Sequence, residues 1–167
     1  MIKYYTGIGS RTTPASIKPA IEYIARFLME EGYTLRSGGA EGADTFFESI
    51  VPKDKKEIHL PWYLFNSNLS PLCVVSEEAI DFSLKYHPAP EQLGVGAQKM
   101  MGRNAYQVLG LDLKTKSDFV VCWREKSGGT DQALRIAEAH GIKMFNLSGK
   151  KIADFRQWYS DNNFDIM

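Results

Sequence analysis

Three glycine-bearing turns constrain this chain more than any other feature. Gly7, Gly9, Ser10 and Arg11 form the first, Ser37, Gly38, Gly39 and Gly42 the second, and Ser127, Gly128, Gly129 and Thr130 the third. Each follows a short apolar run and precedes a stretch of helical periodicity. That order, repeated along a chain, reads as an α/β fold with a parallel sheet. In such a sheet the turns gather at the carboxyl ends of the strands, where ligands bind. Glycine lets backbone approach a ligand closely, and helix N-termini offer free N–H groups to an anion. One such turn needs glycine for its own geometry and says little. Three on one rim point to an anion site.

The apolar runs predict strands over 2–6, 33–36, 57–60, 117–123 and 142–147. Apolar residues at helical spacing from Ile17 to Leu28 predict a helix capped by Ser16, with Pro19 in its first turn and Gly32 as its stop. Further helices are expected from the second turn to about residue 50, after the cap Ser76, over 91–109, over 131–140 and over 152–159. Residues 62–75 read as irregular, and the tail 160–167 is expected to lie loosely on the surface. The 167 residues suit one domain, 1–167. The fold class is α/β: Rossmann-like, a mostly parallel sheet with helices on both faces.

Composition removes several classes. Twenty Lys and Arg balance twenty Asp and Glu, which argues against a strongly basic nucleic-acid coat. No GxGxxG or GxxxxGK[ST] occurs, so neither a standard dinucleotide site nor an ATPase P-loop is expected, and no cofactor is assigned. The two cysteines and three histidines fall at no metal spacing. Cys122, inside an apolar run, reads as a small core side chain. No leader is visible and no apolar stretch approaches the ~20 residues of a membrane helix, so a cytoplasmic protein with no membrane partner is the expectation.

The candidate site residues follow from the turns. Arg11 can cover a phosphate with its fork of donors, or lie solvated in its loop. Asp44 either braces the second turn or accepts from a ribose hydroxyl. Arg103, in mid-helix beside Asn104, is read as a phosphate ligand whose removal leaves the fold intact, with Asn104 directed at the neighbouring turns. Trp62, just past the third strand, stacks on a base or packs the core.

Taken together, Tyr5-Thr6-Gly7-Ile8-Gly9-Ser10-Arg11, Leu35-Arg36-Ser37-Gly38-Gly39-Ala40-Glu41-Gly42-Ala43-Asp44, Met101-Gly102-Arg103-Asn104 and Gly128-Gly129-Thr130-Asp131-Gln132-Ala133 resemble the SLOG superfamily. That group includes DprA-like (Smf) proteins, LOG-type phosphoribohydrolases and YpsA-related proteins. The resemblance runs from residue 2 to about 147 and skips 62–90. It implies a Rossmann-like sheet that binds nucleotides or nucleotide-derived ligands. In the LOG-type enzymes a PGGxGTxxE loop and a helix arginine cleave the N-glycosidic bond. Arg103 matches the arginine, but Ala133 stands where the glutamate is expected.

Three functions compete. The first is binding of a mononucleotide or ADP-ribose-like ligand across the turns. The second is N-glycosidase activity on nucleotides, with Asp131, Asp44 or Glu41 as the carboxylate near an oxocarbenium-like transition state. The third is single-stranded DNA binding, as in DprA-like proteins, which requires Arg11, Arg36, Lys99, Arg103, Arg124 and Lys126 to form one basic stripe. Self-association through the helix around Met100 and Met101 is a further expectation.

Overall fold

The computed structural model describes residues 1–162 and residue 164. Among them, five strands form one all-parallel sheet in the order β3-β2-β1-β4-β5. The strands are β1 (Lys3–Gly9), β2 (Tyr33–Ser37), β3 (Lys56–Ile58), β4 (Phe119–Trp123) and β5 (Lys143–Asn146). The helices between and after them are α1 (Lys18–Glu30), α2 (Ala43–Glu48), α3 (Glu77–Leu84), α4 (Val95–Leu109), α5 (Thr130–Ala139) and α6 (Ile152–Asp161). The expected α/β architecture is present.

Both faces of the sheet are covered because its strands are apolar on both sides. Along β4, Phe119, Val121 and Trp123 enter one core while Val120 and Cys122 enter the other. The first core is closed by Ile21, Ile24 and Leu28 of α1, Phe47 of α2, and Phe155 and Tyr159 of α6. The second is closed by Ala105, Val108 and Leu109 of α4 and by Ala133, Ile136 and Ala137 of α5. Cys122 is a buried core side chain, and burial pushes its thiol up to about 12. No described helix is long and apolar enough to cross a membrane.

Four expectations need correction. First, β1 runs on to Gly9 instead of ending at Thr6. Lys3 to Thr6 pair with β2, and Thr6 to Gly9 pair with β4. Second, Ser16 does not cap α1; it lies in a short 3-10 turn, and Ile17 is the N-cap. Ser76 does cap α3, accepting from the Ala79 amide. Third, α4 begins at Val95, because Pro90–Gln92 forms its own 3-10 turn and Gly94 is extended. Fourth, the tail is not uniformly loose. Ser160 and Asp161 continue α6, and the Phe164 ring centroid lies 4.6 Å from that of Phe119. Residues 163 and 165–167 lie outside the described residues.

Candidate nucleic-acid interface

The three turns do gather at the carboxyl end of the sheet, on the adjacent strands β2, β1 and β4. What differs among them is where the missing β-carbons point. Gly7 and Gly9 are strand residues, and α2 packs directly onto them. A β-carbon at Gly7 would lie 2.7 Å from the Phe47 ring, and one at Gly9 would lie 2.6 Å from the Ala43 side chain. The first turn also spends its polar groups internally. The Gly9 amide donates to Asp44 Oδ1 at 3.2 Å, and the Ser10 amide to the Trp123 carbonyl at 3.0 Å. The Ser10 carbonyl in turn accepts from the Thr13 and Ala43 amides. Arg11 stays exposed at the tip.

The second turn is closed. Ser37 to Ala40 are all buried. Gly42 has φ +79° and presses on the first turn; a β-carbon there would sit 2.7 Å from the Arg11 carbonyl oxygen. Asp44 is the brace between the two turns, since its Oδ2 accepts from the Ala40 amide at 3.3 Å while Oδ1 holds Gly9. Burial raises its carboxyl to about 6, although the Arg103 cation pulls the other way.

Arg103 fills the space above Gly38. Its Nη1 donates to the Gly38 carbonyl and, at 3.4 Å, to that of His59; its Nε donates to Asn104 Oδ1 at 3.1 Å. Only 4% of the residue is exposed. Among the described residues no carboxylate oxygen comes within 4 Å of it, and burial lowers its pKa to about 10. The expectation that Arg103 can be removed without cost to the fold is therefore corrected: its guanidinium holds two carbonyls and a side-chain amide. Asn104 does reach its neighbours as expected. Its Nδ2 donates to Gln132 Oε1 at 3.0 Å and to the Gly129 carbonyl at 3.4 Å.

The third turn is open. A β-carbon at Gly128 or Gly129 would meet nothing within 4 Å. Ser127, Gly128 and Gly129 are exposed, and Thr130 is half-buried. They lead into α5, a ten-residue helix whose N-terminus has no side-chain cap and carries Asp131 in its first turn, with the Asp131 amide donating to the Gly128 carbonyl at 3.1 Å. Asp131 is already engaged: Arg124 grips it in a fork at 2.7 and 3.0 Å, which holds its carboxyl below the usual range. Glu41 is exposed beside the second turn.

Six cations do not form one stripe. Arg36 and Arg103 face inward, and Arg36 binds the Thr115 carbonyl at 2.6 Å and Glu57 at 3.2 Å. Arg11, Lys99 and Lys126 are exposed, and Arg124 is half-buried. Met100 and Met101 are half-buried, and from Gly102 on α4 is buried against its neighbours.

Sequence reasoning said little of 62–75, yet this segment lies against the site. Phe65 sits with its ring centroid 5.5 Å from the Arg103 guanidinium carbon, and Asn66 Nδ2 donates to the Gly39 carbonyl at 3.0 Å. Trp62 and Tyr63 remain 39% and 71% exposed. The cluster of Trp62, Tyr63 and Phe65 just after the third strand was the advance signal. Two surface grooves of about 610 and 680 Å³ lie elsewhere, one beside α3 and one between α1 and α6.

No protein-family model matches the chain, and no curated protein matches it in sequence. Its fold is similar to that of DNA processing protein A from Helicobacter pylori, a structure described for its single-stranded DNA binding mode. The similarity has a TM-score of 0.53 at 19% identity and covers 87% of this chain. This chain spans 64% of that one. The likeness is one of fold.

Proposed function

We propose that the carboxyl end of the sheet binds single-stranded nucleic acid. The observation that carries this reading is the open third turn, with space at Gly128 and Gly129 and the uncapped end of α5 behind it. Such a turn admits a phosphate against backbone N–H groups. Arg11 and Lys126 supply exposed positive charge on the neighbouring tips. Trp62 and Tyr63 supply exposed π-faces at the end of β3, on which bases of any sequence stack.

Spacing favours a strand over a mononucleotide. The ends of β3 and β4 are three inter-strand steps apart, or roughly 14 Å at about 4.8 Å per step. A single nucleotide does not bridge the turn and the aromatics, whereas two or three linked nucleotides do. The fold it shares with a protein described as binding single-stranded DNA supports the same reading.

A second reading, a nucleotide or ADP-ribose-like ligand on the third turn alone, is favoured by the same open glycines. N-glycosidase action has weaker support, because Asp131 is held by Arg124 and Asp44 by two amides. Anisotropy titration with a labelled oligothymidylate, set against mononucleotides and ADP-ribose in thermal-shift assays, separates the first two readings. Tight binding of the oligomer with no response to the monomers supports the strand; the reverse supports the small ligand. Release of free base from a nucleoside monophosphate would establish the enzyme.

A further inference from the structure

The carboxyl end of the sheet carries a fourth turn that the footprint described so far does not use. Ser148, Gly149, Lys150 and Lys151 follow β5 and lead into α6. The strands are parallel throughout, so this turn leaves the sheet at the same end as the other three. Gly149 has φ +71°, and a β-carbon there would meet nothing within 4 Å. Glycine serves the backbone at this position, and solvent occupies the space around it.

Asn146 welds this turn to the end of β4. The residue is exposed, yet its side chain makes three hydrogen bonds to backbone. Its Oδ1 accepts from the Arg124 amide at 3.0 Å and from the Ser148 amide at 3.1 Å, while Nδ2 donates to the Arg124 carbonyl at 2.7 Å. The approach to the third turn and the whole of the fourth are therefore tied together. Backbone amides of the fourth turn are already spent. Lys150 donates to the Leu147 carbonyl at 2.9 Å, and Lys151 donates to Asp154 Oδ2 at 2.7 Å. What the pair of turns offers outward is charge on long side chains. Lys126, Lys150 and Lys151 are exposed, and among the described residues none has a carboxylate oxygen within 4 Å. The acids nearby are Asp131, gripped by Arg124, Asp154, which accepts the Lys151 amide, and the exposed Glu125. Lysine acts on phosphate as a mobile point charge and needs no fixed fork. Lysines on adjoining turns therefore suit successive phosphates of one backbone.

We infer that Lys150 and Lys151 extend the nucleic-acid path across β5 and take phosphates beyond the third turn. This rests on the reading of the rim as a single-strand interface and adds a length requirement to it. From the end of β3 to the turn after β5 there are four inter-strand steps, or roughly 19 Å at about 4.8 Å per step. A strand of two or three nucleotides stops at the third turn. A longer one reaches the lysines.

The test compares a thymidine trinucleotide with an octanucleotide across a salt series, using wild type and the double variant Lys150→Gln/Lys151→Gln. Both side chains are exposed, so the variant should melt with the wild type. For wild type the trinucleotide should give a logarithmic salt slope of about −1.4, and the octanucleotide about −2.8, from four contacts at about 0.7 each. In the variant the octanucleotide slope should return to about −1.4, its affinity should fall about tenfold near about 0.1 M salt, and the trinucleotide should be unaffected. The longer strand also gains from its extra registers, but that gain is the same in both proteins and leaves the slope where it was. Should the double variant melt lower, Lys150→Gln and Lys151→Gln singly should each remove about 0.7 from the octanucleotide slope. Equal octanucleotide slopes in variant and wild type overturn the inference, and so does an equal loss of affinity for both oligomers. In either case, trinucleotide binding that Gly128→Asp weakens leaves the reading of the rim standing. If neither oligomer binds wild type, that reading falls and the lysine path falls with it.

Discussion

Gly38 sits among charged and polar groups that leave no room for a methyl. A β-carbon there would lie 2.5 Å from both Arg103 Nη1 and Gln107 Nε2, and 2.9 Å from Asp44 Oδ2. Gly38→Ala should cost about 1–3 kcal/mol through overpacking, read from urea denaturation. Gly128→Ala, where a methyl meets open space, should stay within about 0.5 kcal/mol of wild type. Equal costs at the two positions would contradict the assignment of one closed and one open turn. The contrast was invisible in the sequence, where both glycines follow a serine in near-identical settings. A glycine codon reports that a side chain is unwelcome, not whether protein or solvent occupies the place. Asp44 adds a pH signature. Its carboxyl rises from 3.8 unfolded to about 6 folded, so the folded protein holds the proton more firmly. That stabilising contribution is fully present below about pH 3.8 and is lost as pH rises through about 6. Relative to Asp44→Asn, wild type should lose about 2–3 kcal/mol between pH 4 and 8, measured by denaturation at each pH. His59 acts in the opposite sense, since burial lowers its pKa, but it is common to both proteins and cancels in the difference. A flat difference would show that Asp44 is not the buried brace described.

At the scale of elements, α4 is the part whose packing overrides its propensities. Gly102 lies in mid-helix, where alanine normally gains about 1 kcal/mol. Here a β-carbon would lie 2.5 Å from Val75 Cγ1 and 3.0 Å from Ile80 Cγ1, so α3 and the residues before it would have to move. Gly102→Ala is expected to lower stability by about 1–2 kcal/mol net, seen as a lower Tm; a higher Tm would mean that α3 does not press on α4. Elements defined by local chemistry were readable. The apolar run of β4 and the Ser76 cap both act within a few residues. The extension of β1 to Gly9 was not readable, because glycine is a poor strand former and those residues are held only by pairing with β4, more than a hundred positions away. The left-handed residues Leu64, Asn66 and Ser67 were equally hidden, because their segment is held by contacts with Gly39, Glu48, Ile58 and Arg103 that are distant in sequence.

At the scale of the whole molecule, the sheet order follows from parallel strands joined by helices, and the turns converge because parallel strands share one carboxyl end. The parallel sheet and the convergence of the turns were legible in the alternation of apolar runs and helical periods; the strand order was not. The charge map was not, since Arg36 and Arg103 look like surface residues until the packing turns them inward. With Arg11 and Lys126 as the exposed cations beside the open turn, the affinity for a single strand of two or three nucleotides should fall with salt at a logarithmic slope of about −1.4, from two contacts at about 0.7 each. A slope as steep as six phosphate contacts produce would mean that the buried arginines are reached after all. Trp62→Ala should weaken binding by about 1–3 kcal/mol if a base stacks there, at unchanged Tm. The most direct test is anisotropy titration of a labelled oligothymidylate with wild type and Gly128→Asp, which places a carboxylate in the open turn without touching the core. The account predicts saturable binding by wild type and at least about tenfold weaker binding by Gly128→Asp, a loss on the order of 1.4 kcal/mol, with the two proteins melting together. Equal affinity of the two proteins, or no binding by wild type, would contradict it.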